Sequence, residues 1–310
     1  MQIYSRGRSD RVRCLGSPAK VSRYVLALIL ILLGSSHPAS GQIDLSGEWA
    51  ARYHEDQLER IPGPDIGDYL GIPINDDLRL RADSWDASLL TLLEHECIPH
   101  PATYATRGPA EIRIDEDIDF TVNPAVVKAI VISGTFGGAT RTVWMDGRPH
   151  PPEWALHTWA GFSSGHWEGE TLVVETTHIK AGYLRRNGVI TSDEATVLEY
   201  WSRHGDVLTA LSIREDPIYL TEPFVQSSNW VIDPVRRPTN FAKCIPVEEI
   251  VGRKRGYVPH HLPGSNTLLE DFANRFSVPF EATRGGAETM YPEYRLKLKN
   301  MPRPPPKVSK

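Results

Sequence analysis

From Ile112 onward, apolar and polar positions alternate with a period of two, the pattern of half-buried β-strands. Residues 126–133 (VVKAIVIS) are strongly β-branched, which suits a pleated surface. Residues 139–145 (ATRTVWM) follow a glycine-bearing stretch at 134–138, and Asp146-Gly147 then marks a turn. Residues 165–167 and 171–177 flank Glu168-Gly169-Glu170, while 196–204 and 207–214 flank Gly205-Asp206, a two-residue hairpin connection. Residues 224–232 read as the last clear strand and 44–53 as the first. Elsewhere the period is helical. Leu78, Ala82, Trp85, Leu89 and Leu92 recur at spacings of 4, 3, 4 and 3, one face of an amphipathic helix that stops before Pro99, with Asn75 or Asp76 as its N-cap. Leu268, Leu269, Phe272 and Phe276 mark a short C-terminal helix capped by Ser265 or Asn266. Residues 61–74, broken by Pro62, Pro64 and Pro73, read as an irregular loop, and the Pro/Lys-rich residues 301–310 as a disordered tail.

Strands joined by short polar turns, with no helix between them, pair antiparallel. About eight of them in one domain favour a closed barrel, which leaves no exposed edge. The expected fold is therefore mainly β, an antiparallel meander forming a barrel over residues 42–300, with one helix on its N-terminal side and a short C-terminal helix. A sandwich is the alternative.

The N-terminus departs from this pattern. Arg6, Arg8, Arg11, Arg13, Lys20 and Arg23 precede an apolar run at 25–33, and Ala39 and Gly41 stand at positions −3 and −1 of a cleavage before Gln42. Basic start, short apolar core and small-residue exit predict a secretory signal over residues 1–41. The run is about half of the ~20 residues that a spanning helix needs. An uncleaved anchor is the alternative, since the basic region is long. The reading places the protein in the periplasm or outside the cell, with no stable membrane anchor once the signal is cut.

Removing that segment changes the charge. The 310-residue chain carries a formal −5, but residues 1–41 hold six basic and one acidic side chain, so the remaining 269 residues stand at −10. With no Lys/Arg surplus to neutralise phosphates, nucleic acid is excluded as a partner, and an acidic surface disfavours anionic membranes. Cys14 leaves with the signal. The two that remain, Cys97 and Cys244, suggest one disulfide in an oxidising compartment. Closing a loop of about 150 residues stabilises by roughly 5 kcal/mol in the chain-entropy model. The competing reading makes Cys97 a metal ligand within His95-Glu96-Cys97-Ile98-Pro99-His100, but no second ligand pair has zinc spacing, and no metal or other cofactor is expected.

Candidate chemistry lies where strand alternation is impure. Residues 171–178 and 196–204 mix polar with apolar side chains on both faces, which in a barrel permits a lumen lined by aromatics and a few polar groups. The densest polar stretch, residues 178–194, holds His178, Lys180, Arg185, Arg186, Asn187, Asp193 and Glu194. Paired arginines can clamp a carboxylate, and a histidine beside a carboxylate can move protons near neutral pH. An acid–base set follows: His178 as the base, Arg185 or Arg186 holding an anion, Asp193 or Glu199 orienting the base. The bland reading is a solvated loop with surface ion pairs. Trp144, His157, Trp159, Trp167, Tyr200 and His204 are the candidate ligand contacts, since tryptophan clusters stack on rings or close a barrel end. Gly161-Phe162-Ser163-Ser164-Gly165 has the G-x-S-x-G form but lies in a meander rather than a strand–turn–helix elbow.

The runs WMDGRPHP (144–151) and GFSSGHWEGETLVV (161–174), the opening DLSGEW (44–49), HIKAGYLRRNG (178–188) and VPHHLPG (258–264) resemble a family of exported bacterial proteins with no assigned activity. The resemblance runs from about residue 44 to 295 and implies export, one long domain and a lipocalin-like (calycin-like) barrel. It transfers no catalytic residues. Three functions remain open: an exported barrel that binds a small apolar or amphipathic molecule; a cofactor-free hydrolase, lyase or isomerase in the same barrel; and an envelope interaction protein without a small-molecule site.

Overall fold

Nine strands close into one barrel. They are β1 (Gly47–Ala51), β2 (Ile112–Asp119), β3 (Val126–Ser133), β4 (Arg141–Trp144), β5 (Phe162–Glu168), β6 (Thr171–Thr177), β9 (Thr196–His204), β10 (Val207–Glu215) and β11 (Phe224–Ile232). Two short strands, β7 (Gly182–Tyr183) and β8 (Ile190–Thr191), form a separate hairpin between β6 and β9. The computed structural model describes residues 43–52, 54–55, 63–105, 111–134, 140–235 and 244–305. The expected export signal and residues 306–310 of the expected tail lie outside them, as do Tyr53 and residues 135–139 of the expected strand regions.

The barrel order is β1-β11-β10-β9-β6-β5-β4-β3-β2, with β1 closing against β2. All neighbours are antiparallel except β4 and β5, which pair through Val143–Ser163 and Trp144–Ser164 in parallel. A pure meander was expected, yet strand directions cannot alternate all the way round a ring of nine. One parallel pair is required, and residues 145–161 supply it by crossing back outside the barrel. The Asp146-Gly147 turn therefore opens a crossover rather than a hairpin. His150 fastens this crossover to the outer face. Its Nε2 lies 2.7 Å from Ser164 Oγ and its Nδ1 2.7 Å from Thr177 Oγ1.

The barrel interior is packed. All nine strands contribute inward side chains, among them Trp49, Ile114, Ile132, Val143, Trp201 and Trp230. Trp49, Trp201 and Trp230 are fully buried, and the rings of Trp201 and Trp230 stack at 5.6 Å. Each buries enough area for about 4–6 kcal/mol, an upper figure relative to an extended chain. Toward the end where β4 and β9 begin, the filling turns polar. Arg141 bonds Ser163 (3.0 Å), Thr176 and the carboxylate of Glu199, the ion pair being about 95% buried or more on both sides. Among the described residues, inward side chains fill the barrel where the mixed strand faces permit a lumen, and the impurity in the alternation is this internal polar cluster.

A second layer lies outside the barrel. The expected single helix over 78–92 is broken. Helix α1 (Asp76–Asp83) is capped by Asn75, whose side chain accepts from Leu78 N at 3.0 Å. It stops at Ser84, whose hydroxyl bonds the Arg81 carbonyl, and Asp86 then caps a 3₁₀ turn over Ala87–Thr91. Short polar side chains that compete for backbone groups break the helix despite the apolar spacing. Helices α2 (Leu93–Glu96) and α3 (Ala102–Ala105) follow. Leu78 and Ala82 of α1 pack with Tyr69, Ile72, Leu184 and Val189 into a second core, which holds the β7–β8 hairpin against the helical layer. Near the C-terminus, Asn266 caps a 3₁₀ turn over Thr267–Glu270 that leads into α4 (Asp271–Phe276). Two further helices, α5 (Phe280–Thr283) and α6 (Pro292–Leu298), follow. Cys97 and Cys244 form a disulfide across 147 positions, tying the end of α2 to the chain that follows β11. Among the described residues no helix is long and apolar enough to cross a membrane.

Candidate functional site

The acid–base set expected from the sequence does not assemble. Glu199 points into the barrel and is taken up by Arg141. Arg185 is buried on the other side of its loop, with Nη1 donating to the Asp68 carbonyl (2.9 Å) and Nη2 3.3 Å from the Asp68 carboxylate. Asp193 is exposed. Its neighbour Ser192 is the anchored residue, held by Asp216 through its backbone N–H (2.7 Å) and its hydroxyl (2.8 Å). His178 sits at the end of β6 in the left-handed region (φ 55°), an uncommon state for a residue with a Cβ. Its Nδ1 lies 2.8 Å from Thr177 Oγ1, its Nε2 donates to the Pro152 carbonyl at 3.0 Å, and its ring faces His157 at 5.1 Å. These contacts pin the crossover; no carboxylate is among them.

The expected ligand contacts also scatter. Trp144 is on the outer face under the guanidinium of Arg148, 3.6 Å from its ring centre. Trp167 packs against the barrel core. Tyr200 lies on the outward face of β9, between Val173 and Leu211, and His204 is exposed at the β9–β10 turn. Ser163, the centre of the G-x-S-x-G run, is buried mid-strand in the Arg141 cluster. Among the described residues no group of three or more His, Cys, Asp or Glu side chains gathers as a metal site.

Trp159 and Arg186, however, meet in a cleft that the sequence did not reveal. It has a volume of about 950 Å³ and lies outside the barrel, among the helical layer, the β7–β8 hairpin and the segment 258–260. Its walls are mainly apolar and aromatic, with Trp85, Leu89, Pro99, His100 and Tyr183 among them, and the Cys97–Cys244 disulfide forms part of its rim. Two glycines let the hairpin approach this layer. A Cβ on Gly188, at φ +93°, would stand 2.5 Å from Trp85 Cβ, and one on Gly182 would stand 2.8 Å from Pro101 Cγ. With no side chain at either place, the Tyr183 ring inserts among its neighbours. It meets Trp85 edge-on at 5.8 Å and His100 at 5.4 Å, and His100 meets Tyr104 at 5.0 Å.

The polar groups of the cleft fall into two sets. On the helical side, burial pushes the Asp86 carboxyl up, but the bonds it accepts from Ser88 N and Oγ, with the charges of His261 and Arg253, together hold it below the usual range. Glu96 accepts from Val247 N at 2.6 Å, which together with Arg253 bonding to Thr91 ties the 244–261 segment down. On the hairpin side, burial foremost and then the charge of Arg186 pull the His100 pKa down to about 4, so the imidazole is neutral at pH 7. Burial raises the Tyr183 phenol, against the opposing pull of Arg186. From the VPHHLPG run, His260 lines the cleft with its Nδ1 2.8 Å from the Val258 carbonyl, while His261 donates its backbone N–H to Ser84. The signals in the sequence were the glycines of the 178–194 stretch and the Pro99-His100-Pro101 run beside Cys97; neither shows a partner without the fold.

In comparisons with protein-family models, curated proteins and solved structures, the chain matches none.

Proposed function

We propose that this is an exported protein that binds a small apolar or amphipathic molecule, and that the molecule sits in the cleft outside the barrel rather than in its interior. The observation that carries this reading is the cleft itself. At about 950 Å³ it is in the size range of small-molecule sites, and it is lined mainly by aromatic and apolar side chains, with polar groups in two sets on its helix and hairpin sides. The packed barrel supports it as a rigid base, since β6 and β9 hold both ends of the hairpin that forms one wall. Export is supported by the basic and apolar N-terminal pattern, by the disulfide, which persists in oxidising compartments, and by the resemblance to exported bacterial proteins. The formal −10 of the chain after residue 41 speaks for a small molecule over nucleic acid.

The test is a thermal-shift screen with lipids, sterols, aromatic compounds and sugars. A ligand at a hundred times its Kd stabilises by about 2.7 kcal/mol, a rise of roughly 5–10 °C for a domain of this size. Tyr183→Ala or Trp85→Ala removes that shift if the cleft is the site. A broad panel without any shift refutes binding, and a shift unaffected by either substitution moves the site elsewhere.

A further inference from the structure

The crossover between β4 and β5 is held to the barrel by a chain of hydrogen bonds, and with neutral rings the direction of that chain is fixed. The Pro152 carbonyl can only accept, so the Nε2 of His178, 3.0 Å away, carries a proton. In the neutral ring Nδ1 is then the acceptor, and the Thr177 hydroxyl, 2.8 Å from it, donates. Thr177 Oγ1 in turn accepts from His150 Nδ1 at 2.7 Å. His150 therefore carries its proton on Nδ1, and its Nε2 accepts from the hydroxyl of Ser164 at 2.7 Å. The Phe162 ring meets His150 edge-on at 5.0 Å and packs against its side.

A serine hydroxyl on the lone pair of an imidazole, with the other ring nitrogen oriented by a third group, is the arrangement that activates a nucleophile. Ser164 follows the inward Ser163 on β5, so its side chain takes the outer face, where it is half-buried between its register neighbours Trp144 on β4 and Glu175 on β6. Arg148 stands over the Trp144 ring and bonds Asp146 through Nε and Nη2, which leaves Nη1 as a donor on this face for a developing oxyanion. We propose that Ser164 and His150 are a nucleophile–base pair that hydrolyses carboxylic esters on the outer face of β5, with Thr177 as the positioning residue. Ser164 Oγ attacks the ester carbonyl carbon while its proton passes to His150 Nε2. Thr177 Oγ1 stabilises the imidazolium, which gives the proton to the leaving oxygen; the alcohol departs and an acyl-serine remains. Water then attacks the acyl carbon and gives a proton to His150, which returns it to Ser164 Oγ as the carboxylic acid leaves. The activity is separate from binding in the cleft. A hydroxyl polarised by a second imidazole takes the orienting place that the sequence reading assigned to a carboxylate, and the nucleophile is the neighbour of the serine at the centre of the G-x-S-x-G run.

The experiment gives the full, oxidised chain p-nitrophenyl acetate near neutral pH and, in parallel, a fluorophosphonate whose site of attachment is read by mass spectrometry. Wild type is expected to release p-nitrophenolate above the buffer rate and to carry the label on Ser164. Ser164→Ala is expected to abolish both while keeping the wild-type melting temperature, since it leaves His150 bonded to Thr177. His150→Gln is expected to lower the rate about a hundredfold or more, within the range of a general base. Thr177→Val is expected to lower the rate and move its pH profile, and Thr177→Ser, which keeps the hydroxyl, to restore both; a purely structural Thr177 would leave the pH profile in place. Wild type that neither hydrolyses the ester nor takes up the label overturns the proposal. So does hydrolysis that Ser164→Ala leaves unchanged, or a label on another residue. None of these outcomes bears on the cleft, which is tested by ligand binding.

Discussion

The buried pair of Arg141 and Glu199 gives the sharpest test of what fills the barrel. Glu199→Ala removes the carboxylate but leaves the guanidinium about 95% buried, with only the hydroxyls of Ser163 and Thr176 to bond. Breaking one side of a buried ion pair costs about 3–5 kcal/mol, because the remaining charge is desolvated without compensation. Glu199→Gln keeps the volume and an acceptor oxygen, so its loss is smaller. Replacing both partners by apolar side chains, Arg141→Met with Glu199→Leu, removes the uncompensated charge and recovers most of the stability. The assay is urea unfolding with the disulfide intact. At an m-value of about 2–3 kcal/mol/M, the single alanine variant unfolds at a urea concentration lower by about 1–2.5 M. The order expected is wild type, then the double variant and Glu199→Gln, then Glu199→Ala. An alanine variant within about 1 kcal/mol of wild type would refute the reasoning, and would show that water reaches the pair. If Glu199 instead served as an orienting carboxylate for a base, the double variant would be no better than the single one in any ligand-dependent assay.

Two other outcomes follow from the same structure. Cys97→Ser with Cys244→Ser opens a loop of 147 positions, so it lowers stability by about 4–5 kcal/mol in the chain-entropy model and weakens ligand binding at the cleft rim; unfolding curves within about 1 kcal/mol of the oxidised wild type would contradict this. His100 has a folded pKa of about 4 against 6.5 unfolded, so below pH 6.5 the unfolded chain binds the extra proton; its stability contribution is present in full above pH 6.5 and is lost as pH falls toward 4. His100→Gln therefore flattens the rise in stability between pH 4 and 6.5, measured as melting temperature against pH, and an unchanged slope rejects the assignment.

Much of the architecture was legible in the order of residues. Strands β3, β6, β9 and β11 fall at the expected bounds, because runs rich in β-branched and aromatic residues bounded by turn residues suit a pleated sheet. Asn75 and Asn266, each one of the two residues expected at its place, cap their helical segments, because a cap is a contact between near neighbours in the chain. The cysteine pair could be inferred from its number, since two thiols in an oxidising compartment have one way to pair. The break after Asp83 escaped the periodicity because it depends on Asp and Ser side chains bonding the backbone rather than on which face is apolar.

What the tertiary structure decided is which side of the barrel is available. Along β9, Glu199 and Tyr200 are one residue apart, and nothing local says whether the inward face meets a ligand or another side chain. Closure of nine strands answers that, since Trp49, Trp201, Trp230 and the Arg141–Glu199 pair meet from four different strands and leave the interior packed. The cleft is equally non-local. Trp85, His100, Tyr183 and Arg186 come from three separate segments up to about a hundred residues apart, brought together by two glycines and one disulfide. The pattern along the chain determined the strands, the caps and the covalent tie, because these are properties of neighbours and of composition. Only folding could choose the outside of the barrel over its interior, because that choice depends on packing among residues that the sequence keeps apart.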